Sequence, residues 1–249
     1  MRYLAYVRYE GTNYQGWQIQ PNGPSIEEEI EKVLSRILNT PTKIYGSGRT
    51  DAGVHALAQT FHFDTENPIL DLDRFRYSLN SLLPKDIYID SIHVVDDNFH
   101  ARYDVIGKTY IYVLNMGEYD LFNRRTVTQF LRKLDVDKMK ECTSLFLGEH
   151  NFKNFTSKEE DKNDFVRTIT SFDIRVNEDF VFFQISGSGF MRYMVRIIVG
   201  TLVQVGLGKL TKEDILDYLT REDRSVAPYK APPEGLALVA VDYGEHKDA

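Results

Sequence analysis

The densest run of residues able to do chemistry is GSGRTDAGVH, Gly46 to His55. Gly46, Gly48 and Gly53 fall within eight positions, which permits positive φ or the close approach of another molecule. Arg49 and Asp51 stand two apart around Thr50, and residues this polar between two strand patterns do not fill a core. As a phosphate cradle the run fails, because it has no G-x-x-x-x-G-K-[ST] and its G-x-G lacks a third glycine. As a Ser/His/Asp site it is weak, since Ser47, Asp51 and His55 lie too close together in the chain for a usual triad. Two readings remain: a tight turn carrying an exposed ion pair, or a turn that presents a carboxylate and a guanidinium for use.

A second chemical signal is a charge in an apolar stretch. Phe190 to Val205 is apolar almost all round, so the pattern predicts one buried helix with Arg192 and Arg196 a turn apart on one face. A buried arginine is costly unless a carboxylate meets it. Arg192 can snorkel from the wetter end, whereas Arg196 sits mid-helix on this reading and needs a partner, for which Asp51 is a candidate. Tyr110 and Tyr112 share one face of a strand, either as a core face or as an aromatic platform for a nucleobase. Six histidines show no metal-ligand spacing and there is one cysteine, Cys142, so the sequence points to no metal and no intramolecular disulfide.

The elements that must position these residues are legible from their periods. Tyr3, Ala5, Val7 and Tyr9 alternate as a strand that EGTN ends. Ser25 caps a helix whose apolar residues Ile26, Ile30, Val33, Leu34, Ile37 and Leu38 recur at helical spacing, and Asn39-Thr-Pro41 stops it. The turn at Gly46–Gly48 leads to a strand with Gln59, Phe61 and Phe63 alternating. A helix through Leu72–Leu83 closes at Pro84, and strands follow at Ile87–Val95 and Lys108–Leu114. The second half repeats this grammar: a helix near Val136–Leu147, strands at Val166–Val176 and Phe180–Ser186, the helix at Phe190–Val205, another at Thr211–Leu219, and a strand at Leu236–Tyr243. Ser157–Asn163 reads as a charged loop and Glu245–Ala249 as a polar tail. The class is α+β, with one half at residues 1–100 carrying the Asp51 turn and the other at 101–249 carrying the tyrosine strand and the arginine helix.

Composition narrows the function. The 249 residues carry a net charge of −7, with 42% hydrophobic and 27% charged residues, which is globular and not disordered. No signal peptide is visible, a reducing compartment fits the single cysteine, and no apolar stretch predicts a membrane span. The acidic average argues against nucleic acid, yet Phe99–Lys133 holds six basic residues against three acidic ones, and Phe180–Lys212 holds four and none. Only local potential steers a polyanion, so a basic face on an acidic chain and a mosaic of solvated faces both stay open.

GSGRTDAGVHALAQ at 46–59 resembles the signature of the tRNA pseudouridine synthase A family. YEGTNYQGWQIQP (9–21), SLLPKDIYI (81–89), FHARYDVIGKTYIY (99–112), GSGFMRYMVRIIVGTLVQVGLGK (187–209) and APPEGLALVAVDY (231–243) resemble further family segments in the same order. Departures are Glu10 where Asp is usual and Ser47 where Ala is frequent. The resemblance implies the pseudouridine synthase catalytic fold, an extended antiparallel sheet with two similar α/β halves around a central cleft. It implies an isomerase that converts uridine to pseudouridine in tRNA without a cofactor, acting on the 3′ side of the anticodon stem-loop, as a cytoplasmic homodimer. It places the catalytic roles on Asp51, Tyr110 and Arg196, with Arg49, Arg102, Lys108 and Arg192 at the substrate, and it expects Arg196 to pair with Asp51. The alternative on the same fold is an RNA-binding, tRNA-folding module without turnover. A nucleotide-processing enzyme built on Gly46–Gly48 would need metal ligands that the sequence does not offer.

Overall fold

A computed structural model describes residues 1–157, 164–221 and 229–244. The charged stretch expected at Ser157–Asn163 lies, from 158 on, outside the described residues, as does the tail from 245. The chain divides into two units, Met1–Ile106 with the C-terminal segment from Ala237, and Gly107–Leu236.

In the first unit, strand β1 (Arg2–Tyr9) is followed by helix α1 (Ile26–Leu38), the short strand β2 (Ile44–Gly46), β3 (His55–Asp64), helix α2 (Leu72–Leu82) and β4 (Ile87–Val95). The elements begin where side chains can take up orphan amides. Ser25 Oγ accepts from the Glu28 N–H, Asp71 accepts from the Arg74 N–H, and the acids Glu27, Glu28 and Glu29 sit at the positive end of α1. Asn39 adopts a left-handed conformation at φ 52° to end α1, and Leu83 is extended before Pro84, as a residue preceding proline prefers.

β1 lies between β3 and β4, antiparallel to both, and the other edge of β3 is shared by β2 near Phe61–Phe63 and by the C-terminal strand near His55–Ala56. Alternation then sorts the faces. Tyr3, Phe63, Phe61, Trp17 and Tyr9 form a seam of rings 5.3 to 6.3 Å apart on one face, with Phe75 of α2 stacked on Phe63. On the other face Leu4 packs with Phe99, Ala101 and Tyr243.

The second unit contains β5 (Gly107–Asn115), β6 (Thr128–Gln129), α3 (Val136–Thr143), β7 (Gly148–Asn151), β8 (Val166–Asn177), β9 (Phe180–Gly187), α4 (Met194–Gly206) and α5 (Lys212–Thr220). β5, β9, β8 and β7 are neighbours in that order and antiparallel, and β6 adds a parallel bridge to β5. The last strand, β10 (Leu236–Asp242), pairs in parallel with β3 of the first unit through Ala237 and Leu238, so the sheet is mixed. Residues from 237 therefore cluster with the first unit, although the sequence groups them with the second half. The reason is a ladder to a strand some 180 residues earlier, which local periodicity does not register.

Two helices differ from the periodic reading. The helix expected to Leu147 ends at Thr143 and tightens into a 3-10 turn over Ser144–Phe146. The helix expected from Phe190 begins at Met194, because Tyr193 takes a left-handed backbone at φ 64° and breaks the helical path. Met191 is buried all the same, but from an irregular turn. Apolar character there reports burial, not helix. Among the described residues no helix is long and apolar enough to cross a membrane.

Candidate active site

The segment joining β2 to β3 carries Asp51, and its shape is imposed by residues remote in the chain. The Trp17 N–H donates to the Thr50 carbonyl at 3.1 Å, and the Gly53 N–H donates to the Tyr14 carbonyl at 3.3 Å. The Tyr9 hydroxyl shares a hydrogen bond with Thr50 Oγ1 at 2.9 Å, and the Gly11 N–H donates to His55 Nδ1 at 3.0 Å. YEGTNYQGW is thus a clamp on the Asp51 loop. Gly16 explains one glycine of that motif: at φ 96°, a Cβ there would come within 2.5 Å of the Thr50 carbonyl oxygen. Within the loop, Gly53 at φ 77° and the Val54 N–H to Asp51 carbonyl bond of 3.1 Å close the turn.

A buried polar network holds the loop from beneath. Ser47 Oγ donates to Gln59 Oε1 at 2.5 Å, and Gln59 Nε2 donates to the Gly48 carbonyl at 3.0 Å. The Ser47 N–H reaches the Thr60 carbonyl at 2.8 Å, so both ends of the Ser47–Gly48 corner are tied to β3. Gln59 is fully buried, and with its partners in place that burial costs little. The Tyr243 hydroxyl donates to the Ala101 carbonyl at 2.8 Å, so its single proton is used. Thr60 must then donate to it across their 2.5 Å contact. Burial pushes the Tyr9 hydroxyl up, which keeps it neutral and bonded to Thr50. Asp51 itself is half-buried on this braced turn, and Arg49 is exposed beside it. Arg49 forms no ion pair among the described residues, so the reading of an exposed Arg49–Asp51 pair is not what is found. Its charge opposes the rise that burial causes at the Glu27 carboxyl. Arg102 is exposed in the turn after Phe99, where its N–H donates to His100 Nδ1 at 3.1 Å.

The second unit positions the other candidates. Lys108, Tyr110 and Tyr112 alternate onto one face of β5, with Lys108 half-buried opposite Gly187 and Tyr110 opposite Ile185. The two tyrosines part company in burial. Tyr112 is 1% exposed, bonded to Thr128 Oγ1 at 2.6 Å and donating to the Pro232 carbonyl at 3.1 Å, so it is a core residue and offers no platform. Tyr110 keeps 9% exposure, and its ring meets the Phe190 ring edge-on at 5.2 Å and 82°. That contact fixes the tyrosine's plane.

Arg196 stands in the first turn of α4 and not mid-helix, because the helix starts four residues later than its apolar pattern suggests. It is 7% exposed. Its Nε donates to the Ala231 carbonyl at 2.8 Å, and the Ala231 N–H donates back to the Arg196 carbonyl at 2.9 Å. Its guanidinium also lies 5.3 Å from the Tyr193 ring centroid. Arg192 is exposed in the turn before the helix, so the two arginines do not share a helical face. They meet instead on the Tyr193 ring, with Arg192 4.8 Å from its centroid.

The structure thus groups Arg49, Asp51 and Arg102 in the first unit and Lys108, Tyr110, Arg192 and Arg196 in the second. Sequence reasoning missed Tyr9, Gly16, Trp17 and Gln59, which shape the Asp51 loop, and Phe190, which orients Tyr110. For Tyr9, Gly16 and Trp17 the signal was the motif YEGTNYQGW, too rich in glycine and aromatic residues for an ordinary strand-to-helix connection.

The profile of the tRNA pseudouridine synthase family matches residues 5–104 and 143–244. The chain belongs to that family of isomerases. It is similar to the tRNA pseudouridine synthase A of Staphylococcus carnosus, 40% identical over 239 residues, covering 96% of this chain and 89% of that protein. An Exiguobacterium protein of the same name is 43% identical over 237 residues, with 95% and 96% covered. Another from Thermoanaerobacter is 38% identical over 241 residues, with 96% and 98% covered.

Proposed function

We propose that this chain isomerises uridine to pseudouridine in tRNA, with Asp51, Tyr110 and Arg196 as its catalytic residues. The observation that carries the reading is the bracing of Asp51: a half-exposed carboxylate on a turn clamped by Tyr9–Trp17 above and by Ser47, Gln59 and Thr60 below. Such a turn pays no reorganisation penalty when a substrate arrives, which is what positioned chemistry requires. The reaction needs no external reactant. The C1′–N1 bond breaks, the uracil turns, C5 bonds to C1′, and the proton lost from C5 is balanced by one gained at N1.

The carboxylate acts at the ribose, as nucleophile at C1′ or as base for a ribose proton, and both roles require it ionised. Arg196, buried and aimed by Ala231, supplies the counter-charge that favours ionisation. Tyr110, held edge-on by Phe190, stacks on the uracil and offers a phenol for proton handling. The target must leave its stack, at about a few kcal/mol, and the planar guanidinium of exposed Arg49 fills the place it vacates. Arg102, Lys108 and Arg192 contact the RNA backbone, the target lies on the 3′ side of the anticodon stem-loop, and the enzyme works as a cytoplasmic homodimer without a cofactor.

The test is to treat unmodified tRNA with the purified chain and map pseudouridine at single-nucleotide resolution. Product is expected in the anticodon arm with the wild type and none with Asp51→Ala or Asp51→Asn, while both variants bind tRNA and melt like the parent. Tight binding with no product from the wild type would replace this reading with that of an RNA-folding module.

A further inference from the structure

Positive charge converges on one aromatic ring in the second unit. Around the Tyr193 centroid lie the Lys230 ammonium at 4.1 Å, the Arg192 guanidinium at 4.8 Å and the Arg196 guanidinium at 5.3 Å. Arg192 Nη2 also donates to the Tyr193 hydroxyl at 3.0 Å. The gathering is built by the backbone. The left-handed conformation of Tyr193 turns its ring to lie by Arg196, and the reciprocal hydrogen bonds between Arg196 and Ala231 bring Lys230, the residue before Ala231, to the same ring. The negative face of the ring attracts each of these cations and holds them close to one another. Lys230 has no carboxylate within ion-pair distance and no acceptor for its ammonium among the described residues. Arg192 and Lys230 are both exposed, so an anion from solution can reach them.

We propose that Arg192 and Lys230, gathered on the Tyr193 ring, form a binding site for a phosphodiester of the RNA. The site rests on the tRNA reading above and adds a specific contact to it. Its donor set suits the ligand: a planar guanidinium fork matches two phosphate oxygens, and an ammonium adds a point charge beside it. Tyr193 is the positioning residue that keeps both donors together in the absence of RNA. Arg196 stays with the reacting nucleotide.

The experiment measures the affinity of the full chain for an unmodified tRNA transcript across about 50 to 500 mM salt. Each lost phosphate contact should make the slope of log K against log salt shallower by ~0.7–0.9. That change is expected for Lys230→Gln and for Arg192→Gln, with both lost together in Tyr193→Leu, and Lys230→Arg should restore the wild-type slope. Lys140→Gln, an exposed charge on α3, is the control and should leave the slope where it was. An unchanged slope in Lys230→Gln overturns the site, as does an equal change in Lys140→Gln. If Tyr193→Leu fails to fold, the lysine pair decides alone. Pseudouridine mapping of the wild type in the same preparation separates the failures: product with equal slopes removes this site and keeps the reading, and differing slopes without product do the reverse.

Discussion

Arg196 and Ala231 are locked reciprocally, the arginine Nε giving a proton to the Ala231 carbonyl at 2.8 Å while the Ala231 N–H gives one to the Arg196 carbonyl at 2.9 Å. The side-chain bond uses Nε, so the guanidinium plane is set by the backbone of residue 231. Lysine cannot reproduce that bond in the same place.

Arg196→Lys should therefore keep a positive charge with poorer aim, and Arg196→Met should lose both. The expected order of single-turnover rate is wild type, then Lys, then Met. Each variant should also lose about 1–3 kcal/mol of stability, because a charged donor leaves the Ala231 carbonyl. A rate for Met equal to that for Lys would exclude a role for the charge.

Gln59 is the buried support of the Asp51 loop. Gln59→Leu removes the acceptor of the Ser47 hydroxyl and the donor to the Gly48 carbonyl, at about 1–3 kcal/mol for a buried hydrogen bond lost. The melting temperature should fall by several degrees. The turnover rate should fall about tenfold or more with tRNA affinity nearly unchanged, because the carboxylate survives and only its placement is loosened. A drop in affinity alone would show that the network serves the fold and not the chemistry.

For Tyr110, removal of the hydroxyl and removal of the ring should separate. Tyr110→Phe keeps the edge-on contact with Phe190 and should lower the rate. Tyr110→Leu loses that contact, about 0.5–1.5 kcal/mol beyond area burial, and also the stacking surface, about 1–3 kcal/mol for an engaged base. Full activity in both variants would reduce Tyr110 to a core strand residue.

Stability should depend on pH through His62. Burial, with the charges of Arg2 and His100, pushes this imidazole down to about 4. Its Nδ1 accepts from the Ala101 N–H at 3.1 Å, a bond that only the neutral ring can make. A folded value below the unfolded one means that the unfolded chain binds the extra proton first. The stabilisation is complete above the ordinary histidine value near 6.5 and is lost as pH falls through that value toward about 4. Over this window the chain should lose at most about 3 kcal/mol through His62. Melting curves of His62→Gln should be flatter there than those of the wild type.

Most of the fold was legible because it is written in short periods and end signals. The alternation of Tyr3 to Tyr9, the Ser25 cap, the stop at Asn39 and the strand at Ile87–Val95 all use contacts within a few residues, which a sequence shows directly. That the Asp51 segment turns between two strands was legible too, from its three glycines and its polar residues. What only the tertiary structure decided involves partners distant in the chain. Tyr9 to Trp17 clamp a loop some 40 residues later, and Ala237 and Leu238 return to pair with β3. Apolar pattern also cannot say how a residue is buried: Met191 is inside without being helical, so Arg196 moves from mid-helix to a first turn. Likewise Tyr110 and Tyr112 are equivalent in period, and only packing gives one the edge of Phe190 and the other hydrogen bonds to Thr128 and Pro232. Period records which way a side chain points. What meets it there is settled by packing between elements that local sequence does not bring together.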